Sequence, residues 1–251
     1  MRLSEKICLI VGASSGMGRE TALRAGAEGA TVIAAARRLA DCEQVATRIR
    51  AAGGKAMPLA LDGTDPTSIA EAFALVSSQF GKLDCAFNNL GATYGSSPIH
   101  ETPDERWHAT IATNLTAPFL LMKAEIPLLM AAGGGCIVNN ASAAGVRGTR
   151  NMADYSAAKW GVIGLSHSAA LEYGDAGIRV NVIAPGIIET EKMQAFELQM
   201  PEIFTNLRAG IPGGQFGKMT DIASLVTWLL SDEARFVNGS TIRIDGGQTA
   251  G

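Results

Sequence analysis

Short runs of β-branched and apolar residues alternate with longer helix-like stretches along most of this chain. Parallel sheets covered by helices on both faces produce such an alternation, because each buried strand needs a crossover helix to reach the next strand. The sequence therefore predicts an α/β fold with a doubly wound parallel sheet. The predicted strands are apolar and bounded by Gly, Asp or Asn, and they span residues 7–11, 31–35, 56–61, 84–88, 135–140, 178–184 and 240–244.

The length and composition fit one large α/β domain. The 251 residues contain no linker-like segment and no internal repeat, so we expect a single domain over residues 1–251. A hydrophobic fraction of 47% and a mean hydropathy of +0.16 exclude an intrinsically disordered chain. The net charge of -3 gives no electrostatic reason to expect a nucleic acid or an anionic membrane as partner.

The cysteines and histidines predict no metal site, because neither group shows metal-ligand spacing. We interpret the cysteines as structural thiols in a reducing compartment. The first apolar run, Ile7 to Val11, is too short for a signal peptide core or a membrane span, so we expect a cytoplasmic protein. The four cysteines are Cys8, Cys42, Cys85 and Cys136, and the three histidines are His100, His108 and His167.

Two proline pairs predict helix starts, and one long segment interrupts the alternation. Asp65-Pro66 and Thr102-Pro103 each place a capping side chain before a proline, and Glu105 completes a capping box with Thr102. Residues 189–215 form the interruption, and we expect a substrate lid there or, alternatively, an ordinary amphipathic surface helix. Its large apolar residues are Met193, Phe196, Leu198, Met200, Phe204 and Leu207.

A glycine-rich turn joins the first predicted strand to the first predicted helix. Such a turn lets backbone N–H groups approach a pyrophosphate at the positive end of the helix, although a plain strand-to-helix turn has the same composition. The turn reads Gly12-Ala13-Ser14-Ser15-Gly16-Met17-Gly18, and we predict a dinucleotide site there.

Arg37 and Arg38 follow the second predicted strand, where a dinucleotide fold meets the adenosine ribose. An acidic residue at this point would favour NAD, whereas arginine suits the 2'-phosphate of NADP. We therefore predict NADP, with NAD possible and with solvated surface arginines as the alternative. The neutral Ser15 weighs slightly against NADP.

Tyr155 and Lys159 lie four residues apart on a helix predicted over 155–172, so they share one face. An ammonium group in this position lowers the pKa of the phenol by stabilising the phenolate. A tyrosine tuned in this way acts as a general base towards an alcohol or as a general acid towards a ketone.

With these motifs in order, the chain resembles the short-chain dehydrogenase/reductase family in its form of about 250 residues. The resemblance implies a Rossmann fold whose seven-stranded parallel sheet has the order 3-2-1-4-5-6-7, a nicotinamide cofactor, and hydride transfer at a carbonyl carbon. It rests on Gly12-x-x-x-Gly16-x-Gly18, Asp62, Asn88-Asn89-Leu90-Gly91, Asn114, Ser142, Tyr155-Ser156-Ala157-Ala158-Lys159, Pro185-Gly186 with Thr190, and Asp245-Gly246-Gly247.

The resemblance also implies a role for each matching residue. Tyr155 is the acid or base, Ser142 holds the substrate oxygen, Lys159 lowers the tyrosine pKa and binds the nicotinamide ribose, and Asn114 interrupts its helix to hold a water. Asp62 contacts the adenine, and Asn88 lies on the adenosine side. Local capping or turn formation is the alternative role of both Asp62 and Asn114. The remaining cofactor contacts are Gly63, Asn89, Gly91, Pro185, Gly186, Ile188 and Thr190. Two residues depart from the family pattern: Val11 replaces the usual Thr, and Leu90 replaces the usual Ala.

The expected substrate wall is mostly apolar, which favours a hydrophobic ketone or secondary alcohol. It comprises Tyr94 to Ser97, Ala143 to Met152 and the lid, and Tyr94, Ala144, Met152 and Met193 are expected to contact substrate along with Ser142 and Tyr155. Arg147 and Arg150 are the charged exceptions, either solvated or facing an anionic group.

Several other functions stay open. A 3-oxoacyl-(acyl-carrier-protein) reductase is one, although the segments before the fifth and sixth strands lack cations. A non-catalytic NAD(P)-binding regulator, a nucleotide-sugar epimerase or dehydratase, and an enoyl reductase are others. Alanine-rich helices suit packing against a second subunit, and the resemblance implies a homotetramer.

Overall fold

A computed structural model describes residues 1–190, 193–194 and 197–250. Seven strands form one parallel sheet in the order β3-β2-β1-β4-β5-β6-β9, which confirms the predicted doubly wound sheet and its strand order. The strands are β1 (Ile7–Val11), β2 (Thr31–Ala36), β3 (Lys55–Ala60), β4 (Cys85–Asn88), β5 (Gly135–Asn140), β6 (Ile178–Pro185) and β9 (Thr241–Ile244). Two short strands that the sequence did not predict, β7 (Ile188–Glu189) and β8 (Gly217–Lys218), pair with each other beside this sheet.

The helices occupy the gaps between strands. They are α1 (Gly16–Ala27), α2 (Leu39–Ala51), α3 (Pro66–Phe80), α4 (Asp104–Ile111), α5 (Ala117–Ala131), α6 (Ala153–Glu172), α7 (Pro201–Ala209) and α8 (Met219–Leu230). A π-helical segment, Ala112–Thr116, joins α4 to α5 without a break in the helix.

Alternate residues of each strand enter two separate cores, because successive side chains of a strand point to opposite faces. Cys8 and Ile10 pack with residues of α1, α2 and α8, whereas Leu9 and Val11 pack with residues of α3, α5 and α6. The prediction of helices on both faces of the sheet is therefore confirmed.

One of the two predicted helix caps is present. Asp65 accepts a hydrogen bond from the Thr67 amide at 2.9 Å and caps α3. The capping box at Thr102 was wrong, because α4 begins one residue later with Pro103 as its N-cap. The Thr102 hydroxyl instead donates to Pro98 O at 3.1 Å and accepts from Arg106 at 2.9 Å.

The predicted lid segment is partly helical. Its helix α7 buries Phe204 (1% exposed), which packs edge-to-face on Phe216 with ring centroids 5.9 Å apart. Leu198 is largely exposed, and Phe196 lies outside the described residues.

The cysteines, the potential metal ligands and the helix lengths bear on three further expectations. All four cysteines are buried free thiols, and none of the described residues form a cluster of three or more His, Cys, Asp or Glu side chains suited to a metal ion. No helix in the described part of the chain is both long enough and apolar enough to span a membrane.

Candidate active site

The glycine turn places backbone where a phosphate would bind. Gly12 has a φ of +76°, and a Cβ on it would collide with the backbone oxygen of Asn89. A Cβ on Gly18 would collide with Gly12 O, so this close approach of two chain segments requires glycine at both positions.

The start of α1 suits an anion. Its N-cap, Ser15, is exposed and makes no capping hydrogen bond through its side chain, and the first turn carries no acidic residue. The first amide groups of α1 thus lack a capping side chain, as an anion-binding helix end requires. Ser14 and Met17 are partly buried beside this turn, and Gly16 lies within van der Waals reach of Thr190.

Asn89 and Gly91, but not Asn88, lie at the open end of β4. Asn88 is 1% exposed, and its Nδ2 donates to Glu125 Oε2 and Asn139 Oδ1, both at 3.0 Å. The expected adenosine contact of Asn88 was therefore wrong, because this side chain points into the core beneath α5. Asn89 follows the strand end and its Oδ1 accepts from Asn140 at 2.8 Å.

The two arginines after β2 have different surroundings. Arg38 pairs with Asp41 in α2 at 2.5 Å. Arg37 is exposed and lies close enough to Asp62 to influence its ionisation. Burial alone would raise the pKa of Asp62, but hydrogen bonds from Thr64 and the charge of Arg37 lower it overall.

Asp62 also forms the local turn that we considered as its alternative role. Its Oδ1 accepts from Thr64 N at 2.9 Å and from Thr64 Oγ1 at 2.7 Å. Next to it, Gly63 faces the side chain of Leu90, which packs against the core formed with α3, α5 and α6. The bulk of Leu90 is thus accommodated over Gly63.

Ser142, Tyr155 and Lys159 converge at the carboxyl ends of β4 and β5. Ser142 follows β5 and its Oγ accepts from Ala144 N at 3.2 Å, while Tyr155 and Lys159 lie in the first turns of α6. Lys159 is 1% exposed, and its Nζ donates to Asn140 O at 2.8 Å and to Leu90 O at 3.3 Å. The same Nζ lies 5.7 Å from the centroid of the Tyr155 ring.

The ionisation of the pair differs from the prediction. Burial raises the pKa of Tyr155, and a hydrogen bond with Ser142 offsets part of that rise. Burial also lowers the pKa of Lys159 to about 7, so the amine is only partly charged near neutral pH. The expected lowering of the tyrosine pKa by Lys159 is therefore not what this arrangement produces, because the burial of Tyr155 raises its pKa by more than the hydrogen bond with Ser142 lowers it.

Asn114 is buried in the π-helical segment, as a residue that interrupts its helix would be. Its Nδ2 donates to Ala92 O and Thr110 O, both at 2.9 Å, and its Oδ1 accepts from Ala92 N at 3.2 Å. Both amide protons are thus used, so a water at Asn114 would have to bind a backbone group or the remaining side-chain lone pair.

The segment after β6 returns to the glycine turn. Gly186 N donates to Ile244 O at 3.0 Å, and Gly186 lies against Asp245. Ile188 is 7% exposed in β7, and Thr190 lies beside Gly16. The fold thereby brings the expected nicotinamide residues, which follow Pro185, next to the expected phosphate residues.

The expected substrate residues surround the catalytic group only in part. Tyr94 is 48% exposed and its hydroxyl pairs with Thr113 Oγ1 at 2.8 Å, while Ala144 is buried directly after Ser142. Met152 and Met193 are partly buried at the N-cap of α6 and after Thr190. Of the two arginines, Arg147 is exposed and donates to Gln248 O at 2.9 Å, and Arg150 is also exposed.

Sequence reasoning missed a buried ion pair next to Tyr155. Arg106 Nε and Asp154 Oδ2 lie 3.1 Å apart, with side chains that are 9% and 3% exposed. The only sequence signal is an acidic residue immediately before Tyr155, since its partner is far away in the chain.

Comparisons with known proteins agree with this geometry. A family model described as enoyl-(acyl carrier protein) reductase matches residues 12–249. The chain is 40% identical over 250 residues to cyclohexanol dehydrogenase of Acinetobacter sp. (strain SE19), covering 99% of this chain and 97% of that protein. It is 36% identical over 247 residues to 3-oxoacyl-(acyl-carrier-protein) reductase FabG of Thermotoga maritima, covering 98% and 99%.

A solved structure from Beutenbergia cavernae, provisionally assigned as an NAD(P)-dependent gluconate 5-dehydrogenase and holding NADP at low occupancy, superposes with a TM-score of 0.92. The two sequences are 31% identical, and the match covers 99% of this chain and 98% of the other. Because the family model, the relatives and the fold all match along nearly the whole chain, the protein belongs to the short-chain dehydrogenase/reductase family of NAD(P)-dependent oxidoreductases.

Proposed function

We propose that this enzyme interconverts a hydrophobic ketone and its secondary alcohol with NADP(H), and that cyclic ketones are its preferred substrates. The observation that carries this proposal is the convergence of Ser142, Tyr155 and the buried Lys159 beside the glycine turn. Residues 1–251 act as one domain in this proposal, with residues 189–215 as the substrate lid.

Each catalytic side chain has one task. The dinucleotide, when bound at the glycine turn, supplies the hydride for reduction or accepts it during oxidation. In the direction of reduction, Ser142 and Tyr155 hold the carbonyl oxygen by hydrogen bonds, and Tyr155 transfers its phenolic proton to that oxygen as the carbon gains the hydride. Lys159 is held by Asn140 O and Leu90 O, and from there it would contact the nicotinamide ribose and return a proton towards Tyr155.

The preference for NADP rests on Arg37. This residue is exposed at the end of β2 beside Asp62, whereas Arg38 is already paired with Asp41. Arg37 is therefore the better candidate for a 2'-phosphate contact, and the related Beutenbergia cavernae structure holds NADP. Gly12, Gly16, Gly18, Gly91 and Gly186 would line the rest of the dinucleotide site.

The preference for a cyclic ketone rests on the apolar wall and on one relative. Ala144 donates its backbone N–H to Ser142, Met152 and Met193 are partly buried apolar residues, and a relative that matches 99% of the chain is a cyclohexanol dehydrogenase. A second candidate is reduction of a carrier-bound 3-oxoacyl thioester, which the FabG relative favours.

A direct comparison separates the two candidates. Purified enzyme is assayed with cyclohexanone and with a 3-oxoacyl thioester on acyl carrier protein, each with NADPH and with NADH. We expect the highest kcat/KM for cyclohexanone with NADPH. Faster turnover of the carrier thioester would replace the first candidate with the second, and faster turnover with NADH would overturn the assignment of Arg37.

A further inference from the structure

We propose that Arg106 and Asp154 are positioning residues that fix the loop at residues 92–97 and the first turn of the catalytic helix α6 as one unit. This inference rests on the proposed function, since it concerns how the substrate wall and Tyr155 are held relative to each other.

The ion pair is buried between α4 and α6. Besides the contact with Arg106 Nε at 3.1 Å, Asp154 Oδ2 accepts from Thr110 Oγ1 at 2.9 Å. Burial tends to raise the pKa of Asp154, but hydrogen bonds from Thr110, the Tyr155 backbone and Arg106 lower it overall, so the carboxylate stays ionised. Removing one member would leave the other charge buried and unpaired, which is strongly unfavourable.

The two terminal nitrogens of Arg106 contact the loop at residues 92–97 and Thr102. Its Nη1 donates to Ser97 Oγ and its Nη2 to Thr102 Oγ1, both at 2.9 Å. A planar guanidinium makes three such bonds in fixed directions, which a lysine ammonium on a flexible stem does not reproduce. Arg106 thus joins the loop that carries Tyr94 to the residue that immediately precedes Tyr155.

The loop is held at one end by a residue just before α6 and at the other end by the π-helical segment that follows α4. Ser97 N donates to Asn151 O at 3.0 Å, and Asn151 has a φ of +62°, which is uncommon for a residue other than glycine. At the other end, Ala92 is held by both side-chain atoms of Asn114. Backbone strain held in place by surrounding contacts is typical of sites that need fixed geometry.

This arrangement predicts separate effects on substrate binding and on turnover. The bonds to Ser97 and Thr102 position the substrate wall, so their loss should raise KM. The bond to Asp154 positions Tyr155, so its loss should lower kcat, because a displacement of about 1 Å at a reacting group can cost about 100-fold in rate.

The test uses Arg106→Met, Arg106→Lys and Ser97→Ala in the full chain, with cyclohexanone and NADPH. We expect Arg106→Met to raise KM and lower kcat, each by about tenfold. Arg106→Lys keeps a cation near Asp154, so kcat should return to within about threefold of wild type while KM stays raised. Ser97→Ala should raise KM alone. NADPH affinity, measured by fluorescence titration, should stay unchanged in all three.

Arg50→Met is the matched control, because Arg50 forms an exposed ion pair with Glu43 on α2. The inference is overturned if Arg106→Met folds and behaves like this control, or if Arg106→Lys and Arg106→Met lower kcat and raise KM to the same extent. If Arg106→Met fails to fold, the test rests on Ser97→Ala. An unchanged KM in Ser97→Ala would then overturn the inference. Normal turnover by Tyr155→Phe would instead overturn the proposed function itself.

Discussion

At the scale of single residues, burial controls the chemistry of this site more than charge does. Lys159 has two carbonyl oxygens as hydrogen-bond acceptors and almost no contact with solvent, and burial lowers its pKa to about 7. An ordinary tyrosine is already protonated at neutral pH, and burial raises the pKa of Tyr155 further. The protonated phenol is the form that can donate a proton to a ketone oxygen.

The two directions of the reaction should therefore respond oppositely to pH. Reduction needs the protonated phenol, so its kcat/KM should fall as pH rises through the pKa of Tyr155. Oxidation needs the phenolate, so its kcat/KM should rise over the same alkaline range. Initial rates with cyclohexanone and with cyclohexanol across pH check this, and an oxidation rate that falls throughout the alkaline range would contradict it.

Arg37 and Arg38 give a second prediction at this scale. Arg37→Ala should weaken NADPH binding by about 10- to 150-fold and leave NADH binding almost unchanged, because a charged hydrogen bond to phosphate contributes about 1.5–3 kcal/mol. Arg38→Ala is the matched comparison, and its effect should be smaller because Asp41 already engages that guanidinium. Equal losses of NADPH and NADH affinity in Arg37→Ala would contradict a 2'-phosphate contact.

At the scale of elements, β4, β5 and α5 are joined by a buried polar cluster beneath the site. Glu125 accepts from Asn88, and Asn139 contacts both Asn88 and Ser166. Burial raises the pKa of Glu125 to about 8, although the bond from Asn88 opposes this rise. Glu125 is thus mostly protonated at neutral pH and takes up its proton on folding.

This proton uptake predicts a stability change with pH. A folded-state pKa above the unfolded value gives stability that is fully present below about pH 4.5 and is lost as pH rises through about 8. The free energy of unfolding should fall over this window by up to about 1.4 kcal/mol per pH unit from this group. Glu125→Gln should lack that component of the slope.

Urea melts at several pH values measure the effect as the difference between variant and wild type. Both proteins contain Lys159, so its contribution is removed when one curve is subtracted from the other. That contribution has the opposite sign, because the lowered pKa of Lys159 makes the free energy of unfolding rise above about pH 7. Glu172→Gln, at an exposed position on α6, is the control and should follow wild type. Parallel curves for Glu125→Gln and wild type would show that Glu125 does not titrate on folding.

Much of the architecture could be predicted from local sequence. Most features that could not be predicted depend on contacts between residues far apart in the chain. The seven main strands are recognisable because each is a buried apolar run, whereas β7 and β8 have two residues each and carry no periodicity. The glycine turn and Tyr155 with Lys159 are local patterns. The pair of Arg106 and Asp154 joins residues 48 positions apart, so no local pattern could reveal it.

Asn88 and Asn89 show how one position along a strand changes a side chain's role. The last residue of β4 points into the core and the next one lies at the open end, so the choice between them depends on where the strand ends. The direction of the Tyr155 pKa shift was also missed, because it depends on burial that only the packed structure defines.

At the scale of the whole molecule, α5 and α6 leave large apolar side chains uncovered. Phe119 is 47% exposed, Trp160 is 52% exposed and Leu171 is 87% exposed. The homotetramer stays a prediction, and these side chains are the first candidates for its subunit contacts because interfaces are enriched in aromatic residues. Phe119→Glu combined with Trp160→Glu should shift the enzyme to a smaller species in light scattering after size-exclusion chromatography, and an unchanged mass would contradict this interface.

The central claim is that Tyr155 transfers the proton while the dinucleotide site handles the hydride. The most direct measurement is NADPH consumption with cyclohexanone by wild type and by Tyr155→Phe, alongside equilibrium binding of NADPH to both. Tyr155→Phe keeps the ring and its packing, so NADPH affinity should be unchanged while kcat falls by about 10²- to 10⁴-fold. A Tyr155→Phe enzyme that binds NADPH and turns over at the wild-type rate would contradict the account.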